Sequence, residues 1–442
     1  MTAGTQPVTR FEMPATTRTV EGLEILLANA LLIVLLFPYS SPVPIATDVQ
    51  PFFIALALGA LFLLFVVRGY VWNLDRADAM LLIVAVVYAV YVDWSTTKLD
   101  MWYFRKSAIM LLTFPAYWAV KQLYPRMSAR AVYWVAIAYL VLTLSQKFLP
   151  PLFNLYAKVF IPRLANTGFG RGLTGPAPEQ SFLAYLALSF PIVFILIAAK
   201  DPERDSPAYR RMFYTICGIA FVLVMLAGSV TGLAFGGVLL VSLWLASSPT
   251  RGVMLRRATG AFLVFVVLGL VGAAFVGLRA QRLIKWAFTN PSMILIDESI
   301  AARYAQISIG TYTAVIHPLG TGRSVGNTQV FEEGASGLGL DSYVPQVSMS
   351  YIRQQRMDNG DIAVLSPFAD SMARMGLVFV VQLLLLIAIM RYPGASLASR
   401  LFFLMGIASS FPLSFPVFWL LLGAHEGWYF NQRRLAALGQ SG

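Results

Sequence analysis

Apolar residues run along this chain in blocks too long for strands and too continuous for one-sided surface helices. They lie at 22–39, 51–68, 78–94, 106–121, 130–148, 180–199, 211–228, 232–247, 258–278 and 371–390. A last block, 398–430, is broken by Ser409-Ser410-Phe411-Pro412-Leu413-Ser414-Phe415-Pro416. Its two prolines remove backbone donors and favour a turn, so the block holds two short helices. A bilayer crossing needs about 20 apolar residues, fewer where neighbours bury the helix. The pattern therefore predicts an all-α polytopic membrane protein of about twelve transmembrane helices, with both termini on one side.

The polar stretches divide the chain further. Residues 1–21 form an N-terminal segment and 22–278 carry nine helices, interrupted by a long segment at 147–179. Residues 279–370 form a large loop, 371–434 carry three more helices and 435–442 form a tail. Charge is costly inside a bilayer and ordinary at its edge, so both long segments belong in water. A loop of that length in a compact protein is usually functional or disordered.

Composition agrees with the pattern. Apolar residues make up 58% of the chain and charged residues 12%, about half the share usual for soluble domains. Placing the N-terminus in the cytoplasm puts Arg10, Arg18, Arg68, Arg76, Lys121, Arg126 and Arg130 on that side, together with the basic residues of 200–211, 251–257, 391–400 and 433–434. That accounts for 18 of the 33 basic residues, nearly all in short loops, as the positive-inside rule requires. The opposite side carries Lys98, Arg105 and Lys106 in short loops, and its other basic residues fall in the two long segments. Residues Met1 to Glu21 are polar, and the first apolar run leads into Pro38, Pro42 and Pro44, so no cleavable signal is expected. The lone Cys217 excludes an intramolecular disulfide. There is no Cys or His spacing for a metal and no outward Asp-x-Asp pair. There is also no Gly-Lys-Ser/Thr phosphate loop, so ATP is not the motor. In a membrane protein the net charge of +12 does not indicate nucleic acid.

The candidate chemistry sits in the two long segments. The first reads Arg163-Leu164-Ala165-Asn166-Thr167-Gly168-Phe169-Gly170-Arg171-Gly172-Leu173-Thr174-Gly175-Pro176-Ala177-Pro178-Glu179-Gln180. Such non-helical backbone next to a span survives where it is covered by protein or lines a wet cavity. Arginine offers a planar fork of donors that matches phosphate oxygens. Arg171, among glycines, suits a diphosphate clamp; headgroup anchoring or pairing with Glu179 are the plainer alternatives. In the second segment, Ile300 to Tyr312 predicts a helix reaching to Pro318, with Arg303 in its first turns, where the helix dipole favours an anion. Arg163 and Arg323 extend the candidate diphosphate-binding set. Asp370 and Arg374, four apart, share a helix face at the mouth of the next span. Asp370 is the preferred general base on position, followed by Asp361 and Glu179. His317 is either a base or a structural residue beside Pro318. Arg353, Arg356 and Arg374 are candidates for holding an acceptor glycan; Arg353 and Arg356 beside Asp358 and Asp361 also suit a solvated face. Across 279–374 eight basic and eight acidic residues balance, which argues for specific pairing rather than general polyanion binding.

Arg303 within a helix, followed by His317-Pro318-Leu319-Gly320-Thr321-Gly322, resembles the signature of the large periplasmic loop in the bacterial O-antigen ligase and polymerase superfamily. The Arg171 to Glu179 run resembles that family's Arg-Gly-Pro motif. Ser229-Val230-Thr231-Gly232 falls where members carry a short Ser/Thr/Gly turn, and Leu365 to Gly376 resembles the end of the loop. The resemblance implies a glycosyltransferase of the GT-C fold in the bacterial inner membrane, working on the periplasmic face. The implied donor is an undecaprenyl-diphosphate-linked oligosaccharide, with membrane lipid and a chain-length regulator or flippase as further partners. No metal, cofactor or nucleic acid is implied. Leu365-Ser366-Pro367-Phe368 stands where ligases carry a His-Asn pair, and the usual Arg after the Ser/Thr turn is missing. Both departures favour a repeat-unit polymerase over a ligase; with Arg171 and Arg303 holding the diphosphate, the expected transfer is metal-independent and inverting. A flippase or exporter of lipid-linked sugars stays open as a third reading.

Overall fold

A computed structural model of the chain describes residues 15–40, 52–67, 74–94, 101–161, 173–229, 290–355, 361–409 and 411–437, with isolated positions between 232 and 289. Among the described residues every regular element is helical. The first eight helices are α1 (Ala15–Leu36), α2 (Phe52–Phe62), α3 (Arg76–Trp94), α4 (Met101–Leu123), α5 (Ala129–Phe148), α6 (Pro150–Phe160), α7 (Gln180–Ala198) and α8 (Pro207–Ala227). Seven more follow: α9 (Glu298–Ile316), α10 (Thr328–Leu338), α11 (Gln346–Gln354), α12 (Pro367–Met375), α13 (Leu377–Ile389), α14 (Ser396–Ser409) and α15 (Pro416–Ala437).

The helix ends follow local rules. Ser128, Ser206, Asp297, Asn327 and Ser366 each accept an N–H from the first turn of the helix they precede. Pro207 and Pro367 occupy first positions, where no donor is lost. Gly228 and Gly339 close α8 and α10 in the left-handed conformation.

Among the described residues three helices are long and apolar enough to cross a membrane: α5, α7 and α8. The central one is α7, with a mean hydropathy of 2.3 and 83% of its apolar window buried, against 33% for each of the others. Residues 52–66, α13 and α14 are shorter apolar helices. The expected run 258–278 lies outside the described residues, as does most of 232–247. The run expected at 371–390 is bent, because Gly376 separates α12 from α13. The Ser409–Pro416 break divides α14 from α15, as the prolines predict.

Two cores organise the chain. The larger one gathers α1 to α5, α7, α8 and α13 to α15 around residues such as Tyr117, Tyr139, Phe190, Phe402 and Trp419. Helix α4 packs against α3, α2 and α15, and α7 packs against α8 and α5. The second core joins α9 to α12 through Ala305, Ile309, Phe331, Leu340, Met349, Ile362 and Ala369. The long loop read from the sequence therefore contains a helical unit with its own apolar interior.

Candidate functional site

Arg303 lies on the second turn of α9, half-buried, where the two cores meet. Its Nε donates to the Ser409 carbonyl at 3.0 Å, and its Nη1 donates to the Ser299 carbonyl at 3.2 Å and to the Ser299 hydroxyl. The last carbonyls of α14 have no helical donors, so a cation there satisfies and neutralises them. The Ser366 hydroxyl donates to the neighbouring Ala408 carbonyl at 3.1 Å. Arg303 is thus fixed in position, and its side chain lines a small cleft of about 20 Å³ together with Ser181, Tyr185, Gly232, Phe235, Ser409 and Phe411.

The other walls are equally constrained. Tyr185 on α7 is 2% exposed and packs against the Phe402 and Phe411 rings, with centroids at 4.3 and 4.6 Å. Among the described residues its hydroxyl makes no hydrogen bond of good geometry, although it lies close to the Gly406 carbonyl. The nearby Gly406 carbonyl already accepts the Phe411 N–H and the Ser409 hydroxyl. Ahead of α7, the Thr174 and Gly175 N–H groups donate to the Gln146 side-chain oxygen at 2.9 Å, and Leu173 N–H donates to the Leu226 carbonyl at 3.0 Å. Gln146, buried on α5, thereby anchors the end of the segment that carries Arg171. Arg171 and Arg163 lie outside the described residues. Glu179, exposed at the N-cap of α7, accepts a long 3.5 Å hydrogen bond from Ser181, itself a cavity residue.

Asp370 occupies a different environment. Its Oδ1 accepts from the Ser324 hydroxyl at 2.5 Å and from Val325 N–H at 3.2 Å, while its Oδ2 accepts from Arg374 Nε at 3.0 Å. The Arg374 side chain is 8% exposed and that of Asp370 19%, and Tyr88 of α3 lies close to both. The pair joins the 324–325 turn to α12. The His317–Gly322 motif supports the same joint: Thr321 N–H and Gly322 N–H donate to the Ala373 and Arg374 carbonyls, and Leu377 N–H donates to the Pro318 carbonyl. His317 is the exposed C-cap of α9.

The remaining candidates are scattered. Arg353 grips Glu332 through Nε and Nη2 at 3.0 and 2.9 Å, and Asp341 through Nη1 and Nη2 at 2.9 and 3.0 Å. These contacts tie α10 to α11. The hydrogen bonds from Arg353 hold the Asp341 carboxyl below its ordinary value of 3.8. Arg323 is exposed and donates to Gln329 at 2.6 Å. Asp361 is half-buried beside the Ile362–Gly326 backbone contact. Arg356 and Asp358 lie outside the described residues. Among the described residues no three His, Cys, Asp or Glu side chains gather as a metal site.

The structure brings Arg303 and the Glu179 end of α7 to one cavity, and collects Asp370, Arg374 and the His317–Gly322 turn into a separate clasp. Sequence reasoning passed over Gln146, Ser181 and Tyr185. Gln146 and Tyr185 are polar groups within apolar runs, and that was the available signal. By fold and site this is an all-helical protein with helices able to cross a membrane and an arginine-lined cavity beside a second helical core. Comparison of the chain with family models, curated proteins and solved structures returned no match.

Proposed function

We propose that the protein joins polyprenyl-diphosphate-linked oligosaccharide repeat units into a polysaccharide on the outer face of the bacterial inner membrane. Its twelve crossings leave both termini cytoplasmic and the α9–α12 unit periplasmic. The observation that carries this reading is the cleft where Arg303, Tyr185 and two serines meet, one of them two residues from Glu179. A fixed guanidinium with hydroxyl donors suits phosphate oxygens and stabilises them further as charge builds on a departing diphosphate.

The reaction follows from those parts. An acceptor sugar hydroxyl gives its proton to a carboxylate and attacks the donor's anomeric carbon. The bond from that carbon to the diphosphate oxygen breaks, the lipid diphosphate leaves as an anion held by Arg303, and the new bond has inverted configuration. Glu179 is the better base on geometry, since it is exposed next to a cavity residue, whereas both Asp370 oxygens are occupied. Arg171 completes the clamp in this reading.

The test is product analysis of the purified protein in lipid, supplied with a polyprenyl-diphosphate oligosaccharide from the host's own pathway. A ladder spaced by one repeat unit is expected, and its loss in Arg303→Ala with folding retained. A wild-type ladder from that variant overturns the clamp. A second reading, an exporter or flippase of the same lipid-linked glycan, draws on the buried Asp78, Lys121 and Glu426 of α3, α4 and α15, because buried ionisable groups in membrane helices often couple transport. Movement of donor across vesicles with no new glycosidic bond is its signature.

A further inference from the structure

Helix α6 divides its surface into three stripes. Phe153, Ala157 and Ile161, spaced by four, are buried and cluster with Tyr156 and Phe160, and the Tyr156 hydroxyl hydrogen-bonds Ser40 at 2.8 Å. Asn154 and Lys158, also four apart, are exposed. The third stripe is apolar and open: Leu152, Leu155 and Val159 are 59, 63 and 42% exposed. At the bend before it, Phe148 and Leu149 are 67 and 56% exposed. A contiguous apolar stripe of this kind is unfavourable against water and calls for a partner.

We propose that this partner is the bilayer itself, and that α6 lies along the headgroup–acyl boundary of the leaflet where α5 ends. The proposal rests on α5 crossing the membrane and does not depend on the transferase reading. Three observations support it. Leu149 alone separates α5 from α6, so α6 begins at the depth where the span stops. The open stripe continues an exposed face of α5, on which Trp134, Val141 and Phe148 recur every seven residues. With 11 residues α6 is only about 16 Å long, too short to cross, yet it is bracketed by the exposed Lys147 and Lys158. Ammonium groups beside an apolar face are suited to lipid phosphates just above the acyl chains. Ile161, from which the chain runs on toward Arg163 and Arg171, then sits at headgroup depth, the level of a lipid-linked diphosphate.

Because the chain has one cysteine, single-site labelling is direct. In a Cys217→Ser background, nitroxide labels at Leu152→Cys, Leu155→Cys, Asn154→Cys and Val141→Cys are measured in the full-length protein. The vesicles contain phosphatidylglycerol and phosphatidylethanolamine, and the relaxants are oxygen and a water-soluble nickel chelate. Labels at 152 and 155 are expected to favour oxygen, at shallower depth than 141, while the label at 154 favours nickel. Nickel accessibility at 152 and 155 equal to that at 154 would put the stripe in water and overturn the proposal. Protection from both relaxants would mean that protein covers it, either more of this chain or a second copy, and overturns it equally. An aqueous reading at 141 removes the α5 crossing and the proposal together, whereas a lipid reading at 141 with water at 155 removes only the proposal.

Discussion

Arg303 and Asp370 are both charged residues at helix ends, yet their surroundings assign them different work. Arg303 is held by Ser409 and Ser299 and faces a cavity, so its geometry matters as much as its charge. A lysine there is a point charge that cannot hold both anchors and a ligand in one plane. On the proposed transferase reading, Arg303→Lys should therefore lower polymer formation on the order of 100-fold while the unfolding midpoint stays near wild type. Asp370 is occupied by three donors, so Asp370→Asn should cost about 2 kcal/mol of stability and leave turnover within a few-fold. Glu179→Gln should do the reverse, losing on the order of 100-fold or more in rate with stability unchanged. A dead but fully stable Asp370→Asn enzyme would return the base to Asp370. The sequence singled out Arg303 by its place in the first turns of a helix, but not its anchorage to Ser409, which depends on how α9 meets α14. Tyr185 was not singled out, since its place beside Arg303 at the cleft is set by packing between distant helices.

At the scale of elements, the bend between α12 and α13 depends on two glycines. Gly376 has φ 59° and ψ −138°, close to a region that only glycine occupies comfortably, and a Cβ there would lie 2.3 Å from the Pro318 carbonyl oxygen. A Cβ on Gly320 would similarly meet the Arg374 carbonyl at 2.0 Å. Gly376→Ala should cost about 1–3 kcal/mol in backbone strain alone, with more from the clash, and appear as a lowered midpoint in unfolding of the solubilised protein. The α10–α11 contact makes a separate prediction through pH. Arg353 lowers the Asp341 carboxyl, so the stability this pair supplies is present above the ordinary value of 3.8 and is lost as pH falls through the lowered one. Hydrogen exchange in α10 and α11 should rise across that window, and Asp341→Asn should show the faster exchange at neutral pH already. The long apolar helices were visible in the sequence because each carries its own signal of length, cap and proline. The short ones, α6, α10 and α11, were not, because segments of about ten residues take their stability from the surfaces they cover.

The whole molecule places its two charged interiors at opposite ends of α7. Ser181 lines the cavity at one end, and the Tyr124 hydroxyl reaches the Leu196 carbonyl at the other. Near that second end Lys121, 1% exposed, donates to Asp75 at 2.7 Å and to both oxygens of the fully buried Asp78 at 2.8 Å, and Asp78 also accepts the Tyr117 hydroxyl. Glu426 on α15 is buried nearby, with Arg391 at 4.0 Å. The sequence places Asp78 in the first turn of one helix and Lys121 in the last turn of another, so each reads alone as an interfacial charge. Only the packing of α3, α4 and α15 brings them together. Such a cluster either locks the three helices or carries ions for transport, and the two roles separate by mutation. Removing one partner of a buried pair leaves an uncompensated charge and costs about 3–5 kcal/mol, whereas replacing both with apolar residues is often near neutral. Lys121→Met should therefore unfold markedly earlier than wild type, and adding Asp78→Leu should recover much of the loss. If the cluster is a lock, the double variant makes polymer at close to the wild-type rate. A double variant that is stable yet inactive would shift the weight to ion-coupled movement of the glycan lipid.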